Sequence, residues 1–272
     1  MTIAGVNISH PDKIIFPKAN ITKIDMVTYY EKVAPKMLPY LRDRPLTLHR
    51  FPNGVENPGF YQKNTADYFP DYIKTIEVPT QEGSNTEIYC NTKKSLIYLV
   101  NQGTVGFHIW LSQNDKLDKP DKIVFDLDPP DNSFEYVREA AQKVGDYLRA
   151  QGENPNLMTT GQHGLHVWYK IRRNKTFDEV RKETKATAEN IEKQFPHLFT
   201  TQTLKKNREG KIFLDYLRNA YAQTSVCPYS LRPNDACGVA TPVSWDELRK
   251  LDSARHYNFS NIMRRLGQLK SV

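Results

Sequence analysis

The segment KIVFDLDPPD, residues 122–131, constrains this chain more than any other stretch. An apolar, strand-like run ends in Asp126 and Asp128, one residue apart, and Pro129 and Pro130 then stop it. Side chains of a strand alternate between faces, so residues two apart share a face at about 6.5–7 Å. Asp126 and Asp128 therefore project together while Leu127 turns into the core. Two bare carboxylates at that spacing repel each other. A divalent cation between them removes the repulsion, and hard ions such as Mg²⁺ and Mn²⁺ favour oxygen ligands. The segment reads as a metal clamp at the mouth of a sheet, kept open by the two prolines. A strand closing in an ordinary polar turn is the alternative.

Three further segments carry chemistry. KIFLDYL, 211–217, holds Asp215 inside another apolar strand run, where a charge needs an ion or an arginine partner. LMTT and LHVWYKI flank Gly161, Gln162, His163 and Gly164, which reads as a hairpin whose glycines let backbone N–H groups approach an anion. Thr160, His163 and His166 surround that turn. His163 can protonate beside a triphosphate, since the ordinary histidine pKa is about 6.5. CPYSLRP, 227–233, places Arg232 just past a strand expected to follow Asp215, and arginine suits bidentate phosphate recognition. Taken singly, each also fits a salt bridge, a plain hairpin or a surface residue.

The rest of the chain supplies a mixed set of elements. Thr22 and Asp25 have capping-box spacing, and Ile24, Val27, Tyr30, Val33 and Met37 recur at helical intervals. Pro35 falls within that pattern and predicts a bend or an end. Strands are expected at 46–51, 76–79, 86–90 and 105–111, and a short helix at 94–102 capped by Gly103. Ser133 is positioned to cap a helix running to about Arg149. Thr176 and Glu179 open another helix ending before Pro196, Ser244 and Glu247 a late short one, and 260–266 a last. Strands and helices mix without strict alternation, which predicts an α+β fold. A length of 272 residues suits one domain or two intimately packed lobes. No apolar run is long enough to span a membrane. The N-terminus lacks a signal-peptide core, and three scattered cysteines form no disulfide framework, so a cytoplasmic setting is expected. The net charge of +7 favours polyanionic partners, and 15 Tyr with 12 Phe provide rings on which bases can stack.

In this order, DLD, TTGQHGLH and LDYLRN…YSLR resemble the three motifs of the archaeo-eukaryotic primase superfamily. The nearer similarity is to the polymerase domain of bacterial ligase D, of non-homologous end joining. It extends through HPDKIIFP, RPLTLHRFPNG, GFYQKN, FHIW, SWDEL and NFSNIMRRL. The resemblance implies a primase-polymerase fold with an RRM-like catalytic sheet and a second α/β part enclosing a cleft, as a single catalytic domain over 1–272. It implies that Asp126, Asp128 and Asp215 hold two divalent ions, Mn²⁺ or Mg²⁺, which align a primer 3′-hydroxyl with the α-phosphate of an incoming nucleotide. It assigns Thr160, His163, His166 and Arg232 to the triphosphate, and His108 and Arg50 to the nucleotide pocket. Lys13 and Lys23 match a pair that grips a 5′-phosphate across a gap, and Phe60 and Tyr61 an aromatic pair packing on template bases, with Lys63 beside them on the DNA side. Ammonium groups position a phosphate without reading sequence, and rings stack on any base.

The expected function is extension of 3′ ends and filling of gaps with NTPs or dNTPs in double-strand break repair, in a prokaryotic, nucleoid-associated setting. The expected partners are DNA ends carrying a 5′-phosphate, gapped or overhanging duplexes, a separate DNA ligase and a Ku-like end-binding protein. No attached ligase or nuclease is expected. A primase that starts chains de novo, or a non-catalytic end-binding module, are the alternatives. Three positions depart from the family pattern: His163 stands where Lys or Arg is frequent, His49 replaces a frequent Lys, and Asn64 a frequent His or Gln. The two histidines weaken the fixed positive charge near the triphosphate. The expectation is a nucleotide affinity that falls as pH rises from 6 to 8.

Overall fold

A reciprocal cap starts the first long helix, Lys23–Leu41: the Thr22 hydroxyl accepts from the Asp25 N–H while the Asp25 carboxylate accepts from the Thr22 N–H. The helix runs through Pro35 and Pro39 rather than ending near Pro35. Met26, Val27, Tyr30, Val33, Met37 and Leu41 are all fully buried along it. Burial of that face outweighs the backbone bonds the prolines remove. The computed structural model describes residues 1–130 and 134–268. The predicted Ser133 cap lies outside the described residues, while the helix it was to open runs over Phe134–Ala150.

Two sheets face each other. The first is antiparallel, in the order Thr224–Val226, Thr104–Trp110, Leu46–Arg50, Phe60–Gln62. Leu46, Leu48, Val105, Phe107 and Ile109 point to one side and join a core with helices Lys23–Leu41 and Lys93–Asn101. Their neighbours Thr47, His49 and His108 point the other way, as the period of a strand requires. The hairpin Lys74–Thr80 with Gly83–Tyr89 forms a separate two-stranded ladder.

The second sheet has six strands in the order Phe199–Thr200, Ile212–Asp215, Lys122–Asp128, Leu165–Lys170, Asn156–Thr159, Thr241–Val243. Only its outermost pair, Phe199–Thr200 with Ile212–Asp215, is parallel. Helices Phe134–Ala150 and Phe177–Gln194 cover one face, burying Ile123, Phe125, Leu127, Leu165 and Val167 in a second core. Thr176 and Glu179 cap the latter helix reciprocally, as predicted. Gly145 lets Trp245 close over the former, since an added Cβ would lie 2.4 Å from the indole. The opposite face, with Val124, Asp126, Asp128, Met158, His166 and Trp168, looks into the cleft between the sheets. Mixed helix and strand content and this mainly antiparallel sheet bear out the α+β expectation.

One predicted helix is not there. Ser244 and Glu247 make their mutual contacts, yet only a 3₁₀ turn, Leu248–Lys250, follows. The Glu247 carboxylate also accepts from Arg265 and from the Tyr257 hydroxyl. Tertiary partners hold the segment in turns before a helix can propagate. The last helix, Ile262–Gln268, forms.

Candidate active site

Strand register builds the metal-type cluster. Asp126 lies opposite Asp215 on one side and opposite His166 on the other. Directly paired residues in a ladder share a face, so the three side chains form a row across three strands. Asp128, two residues on, joins the same face. Asp126, Asp128 and Asp215 each offer an oxygen, and all three oxygens lie within 4.8 Å of one another. Asp126 and Asp215 are buried at 6% and 7% exposure, and Asp128 is partly open to the cleft.

The surroundings orient each carboxylate. His166 Nε2 lies 3.3 Å from Asp126 Oδ1. The Leu217 N–H donates to Asp215 Oδ1 at 2.7 Å. Arg218 Nε lies 3.4 Å from Asp126 Oδ2 and 3.5 Å from Asp215 Oδ2. Burial alone would raise the Asp126 carboxyl, but His166, Arg218 and Arg232 outweigh it and hold it well below the usual carboxylate range. Asp128 is pushed up to about 6 by burial and by the charges of Asp126 and Asp215. Asp215 is raised by burial and by Asp126. Three crowded carboxylates with one guanidinium leave negative charge unbalanced, and an all-oxygen donor set fits a hard divalent ion.

The turn at 160–164 is rigid. The Thr160 hydroxyl donates to the Gly164 carbonyl at 2.9 Å and accepts from the Gln162 and Gly164 N–H groups. Asn234 Nδ2 donates to the Gly161 carbonyl and Arg255 Nε to the Gln162 carbonyl. Gly161 sits at φ +70°, and an added Cβ at Gly164 would fall 2.1 Å from the Leu127 carbonyl oxygen. Only glycine fits at both positions. Arg232, 9% exposed, donates through Nη2 to Gln162 Oε1 at 2.7 Å. A pocket of about 130 Å³ joins His108, Asp126, Asp128, Thr160, His163, His166, Arg218 and Arg232.

At the rim of this pocket Tyr61, 60% exposed, stacks on His49 at 4.1 Å between centroids and meets His108 edge-on at 5.8 Å. His108 Nε2 and His49 Nδ1 are buried without hydrogen-bond partners, so both rings have a polar atom free for a ligand. Phe60, 46% exposed, lies under the Arg50 guanidinium at 5.3 Å. Neither ring is used in packing a core. Lys63 is exposed nearby. Arg50 is the exception among the predicted pocket residues: its guanidinium donates to the Gln102 carbonyl and the Tyr68 hydroxyl, and it does not line the pocket. Next to His49 on its strand, it faces away from the cleft.

In the first lobe Lys13 and Lys23 adjoin, the Lys23 N–H donating to the Lys13 carbonyl at 2.8 Å. Lys23 is buried at 7% exposure, with Nζ near Ser9 Oγ and the Asn101 carbonyl. Lys13 Nζ reaches only Asn53 Oδ1, and neither ammonium pairs with a carboxylate among the described residues. Burial and then Lys13 lower the Lys23 pKa, a cost that a bound anion would relieve.

Sequence reasoning missed Arg218, Gln162 and Arg255. Arg218 was findable: in LDYLRN it stands three residues after the strand carboxylate Asp215. The other two act through contacts no spacing encodes.

Of the two histidines in the pH expectation, His163 is the one left to carry it. Burial and then Arg232 bring His49 down to about 4, and burial, Arg255, Arg232 and Lys205 lower His163. Both are less basic than an ordinary imidazole in the ligand-free protein. A bound polyphosphate favours protonated His163 and so raises its pKa, and nucleotide affinity strengthens as pH falls between that bound value and the lowered value of the free protein. Calorimetric titration should show the unaltered chain gaining nucleotide affinity over His163→Gln as pH falls, and the two matching at the alkaline end of the series. His163→Lys should bind about tenfold tighter at pH 8, the gain of one charge-assisted contact.

Two lobes around a cleft, a three-carboxylate row on the catalytic sheet and an anion-type turn beside it define a primase-polymerase fold. The family model for the LigD primase-polymerase domain matches residues 22–272. The chain belongs to that family. It is 37% identical over 240 residues to the bifunctional non-homologous end joining protein LigD of Bacillus subtilis, covering 88% of this chain and 38% of that protein. It is 32% identical over 267 residues to the multifunctional LigD of Pseudomonas aeruginosa, covering 98% of this chain and 32% of that protein. The chain thus spans about a third of the length of these relatives. The polymerase domain of Mycobacterium tuberculosis ligase D, solved in complex with DNA, superposes with a TM-score of 0.91 at 27% identity, covering 98% of this chain and 96% of that one.

Proposed function

We propose that this chain is a divalent-metal-dependent nucleotidyltransferase that extends DNA 3′ ends and fills short gaps with NTPs or dNTPs during non-homologous end joining. The observation that carries this reading is the row Asp215–Asp126–His166 with Asp128 beside it, open to a cleft and flanked by Arg232. The family and the DNA-bound relative support it.

Asp126, Asp128 and Asp215 would hold the ions, Mn²⁺ or Mg²⁺, with two expected. When bound, such ions neutralise phosphoryl charge and align attacking and leaving oxygens. The chain's own groups do the rest. His166 keeps Asp126 in place, and the Leu217 N–H does the same for Asp215. Arg232 and the glycine turn meet the triphosphate with a fixed guanidinium and backbone donors. Neutral His108 and His49 offer ring nitrogens to the nucleotide without adding charge. Arg218 must leave its carboxylate contacts for cations to enter. Phe60 and Tyr61 present ring faces to template bases, and Lys13 with Lys23 hold a 5′-phosphate across a gap. Joining the extended end requires a ligase, and a Ku-like end-binding protein fits as partner. Ribonucleotides are expected to serve at least as well as deoxyribonucleotides. No helix among the described residues is long and apolar enough to cross a membrane.

Extension of gapped and 3′-overhang duplexes, with and without a 5′-phosphate, tests the reading with each metal and nucleotide type. Products that grow on primed ends and not on unprimed single strands support it. De novo products on unprimed template would make the chain a primase instead. In the same assay Lys13→Ala should remove most of the preference for 5′-phosphorylated gaps, about tenfold for one charge-assisted contact. Extension of unphosphorylated gaps should be unchanged. Equal loss on both substrates would deny the pair its phosphate role.

A further inference from the structure

Behind the catalytic pocket lies a second and larger cavity, of about 990 Å³. His166, Ser225 and Val226 border both and form the wall between them. The large cavity opens at the other end of the same strands, where Lys122 and Lys170 stand opposite each other in register. Its volume is in the range that holds drug-sized ligands, about 300–1,000 Å³.

The lining is cationic and aromatic together. Lys36, Arg44, Lys122 and Lys170 face two acids, Asp121 and Glu153. Asp121 is already engaged by Arg44. The Lys122 ammonium makes no ion pair among the described residues, and burial, then Arg44, bring it down to about 7. Arg44, 7% exposed, keeps its Nε without a partner. Arg44 is held out of water and Lys122 is half-buried, a cost that an anion would offset. Between them Trp168 and Tyr40, each half-buried, offer ring surface to a planar group.

We propose that this cavity is a second nucleotide site, taking a free nucleoside phosphate with its base on Trp168 and its phosphate at Lys122 and Lys170. His166 and Val226 stand at its inner end, and its volume suits a single free nucleotide. The site stands on its own residues and does not depend on the polymerase reading.

Adenosine monophosphate, which has no pyrophosphate to lose, is the probe. It is titrated into the full chain without metal while tryptophan emission is followed. Trp110 is fully buried and Trp245 lies under Arg149, so Trp168 is the reporter. Saturable quenching is expected that persists in Arg232→Ala, disappears in Trp168→Phe, and weakens about tenfold in Lys122→Met, the loss of one charge-assisted contact. Lys122→Arg should retain it, and matching thermal melts separate lost binding from lost folding. The proposal is overturned by no saturable quenching, by quenching abolished in Arg232→Ala, or by quenching indifferent to Lys122→Met. Displacement of the probe by oligothymidylate binding more tightly than the probe itself would overturn it in favour of a strand-binding channel.

Discussion

Asp128→Asn should lower nucleotidyl transfer by about a thousandfold or more, roughly 4 kcal/mol of barrier, while DNA-end binding stays near that of the unaltered chain. The substitution keeps size and removes one of three oxygens that lie within 4.8 Å of one another. With that charge gone, the remaining pair cannot hold cations in the same place. The thermal stability of the metal-free protein should move the other way. Burial and the neighbouring carboxylates hold the Asp128 pKa at about 6 in the folded state, above its ordinary value of 3.8. A carboxyl raised on folding costs stability as pH climbs from about 4 through 6, and that cost persists at neutral pH. Asp128→Asn should therefore melt higher than the unaltered chain at pH 7.5 without metal, and the gain should vanish near pH 4. Metal affinity has the matching sign. Protons compete for the same oxygen, so Mn²⁺ binding should weaken as pH drops below about 6. A variant inactive and less stable would point to a structural role. Full transfer activity in Asp128→Asn would remove Asp128 from the metal cluster, whereas no transfer by the unaltered chain with either metal would leave an end-binding module.

Arg232→Ala should raise the nucleotide dissociation constant by about a hundredfold, with Arg232→Lys recovering little of it. The guanidinium is 9% exposed, and its Nη2 donates to Gln162, which locks it beside the glycine turn. Its Nε has no partner in the ligand-free protein. Burial lowers its pKa, so the site bears the cost of a desolvated cation before any ligand arrives. A triphosphate would regain that cost, and an ammonium on a flexible stem cannot reproduce a planar fork. Equilibrium binding of an NTP, without turnover, reads the effect directly. A change in transfer rate with unaltered binding would move Arg232 from ground-state recognition to another step.

How much was visible in the chain itself follows from the range of each interaction. The period of a strand is local, so Asp126 and Asp128 could be placed on one face from KIVFDLD alone. The capping boxes at Thr22 and Thr176 were equally local, and both formed. Pro35 misled because the local rule was overruled by burial of the helix around it. Ser244 and Glu247 misled in the opposite sense, their cap being captured by Tyr257 and Arg265 from farther along the chain. Arg50 and His49 show the same limit at the pocket. Adjacent in sequence, they point to opposite sides of a strand, and only one reaches the cleft.

The residue types and short-range order of this sequence determined which side chains could do phosphoryl chemistry: paired acids on a strand, a glycine turn, an arginine, exposed rings. Tertiary structure alone decided that Asp215 stands opposite Asp126, that Arg218 lies within 3.5 Å of both, and that His49 and His163 are less basic than a free imidazole. It also decided that a large cationic cavity lies behind the catalytic wall. Registers and desolvation depend on which distant segments pack together, and no spacing along the chain encodes that.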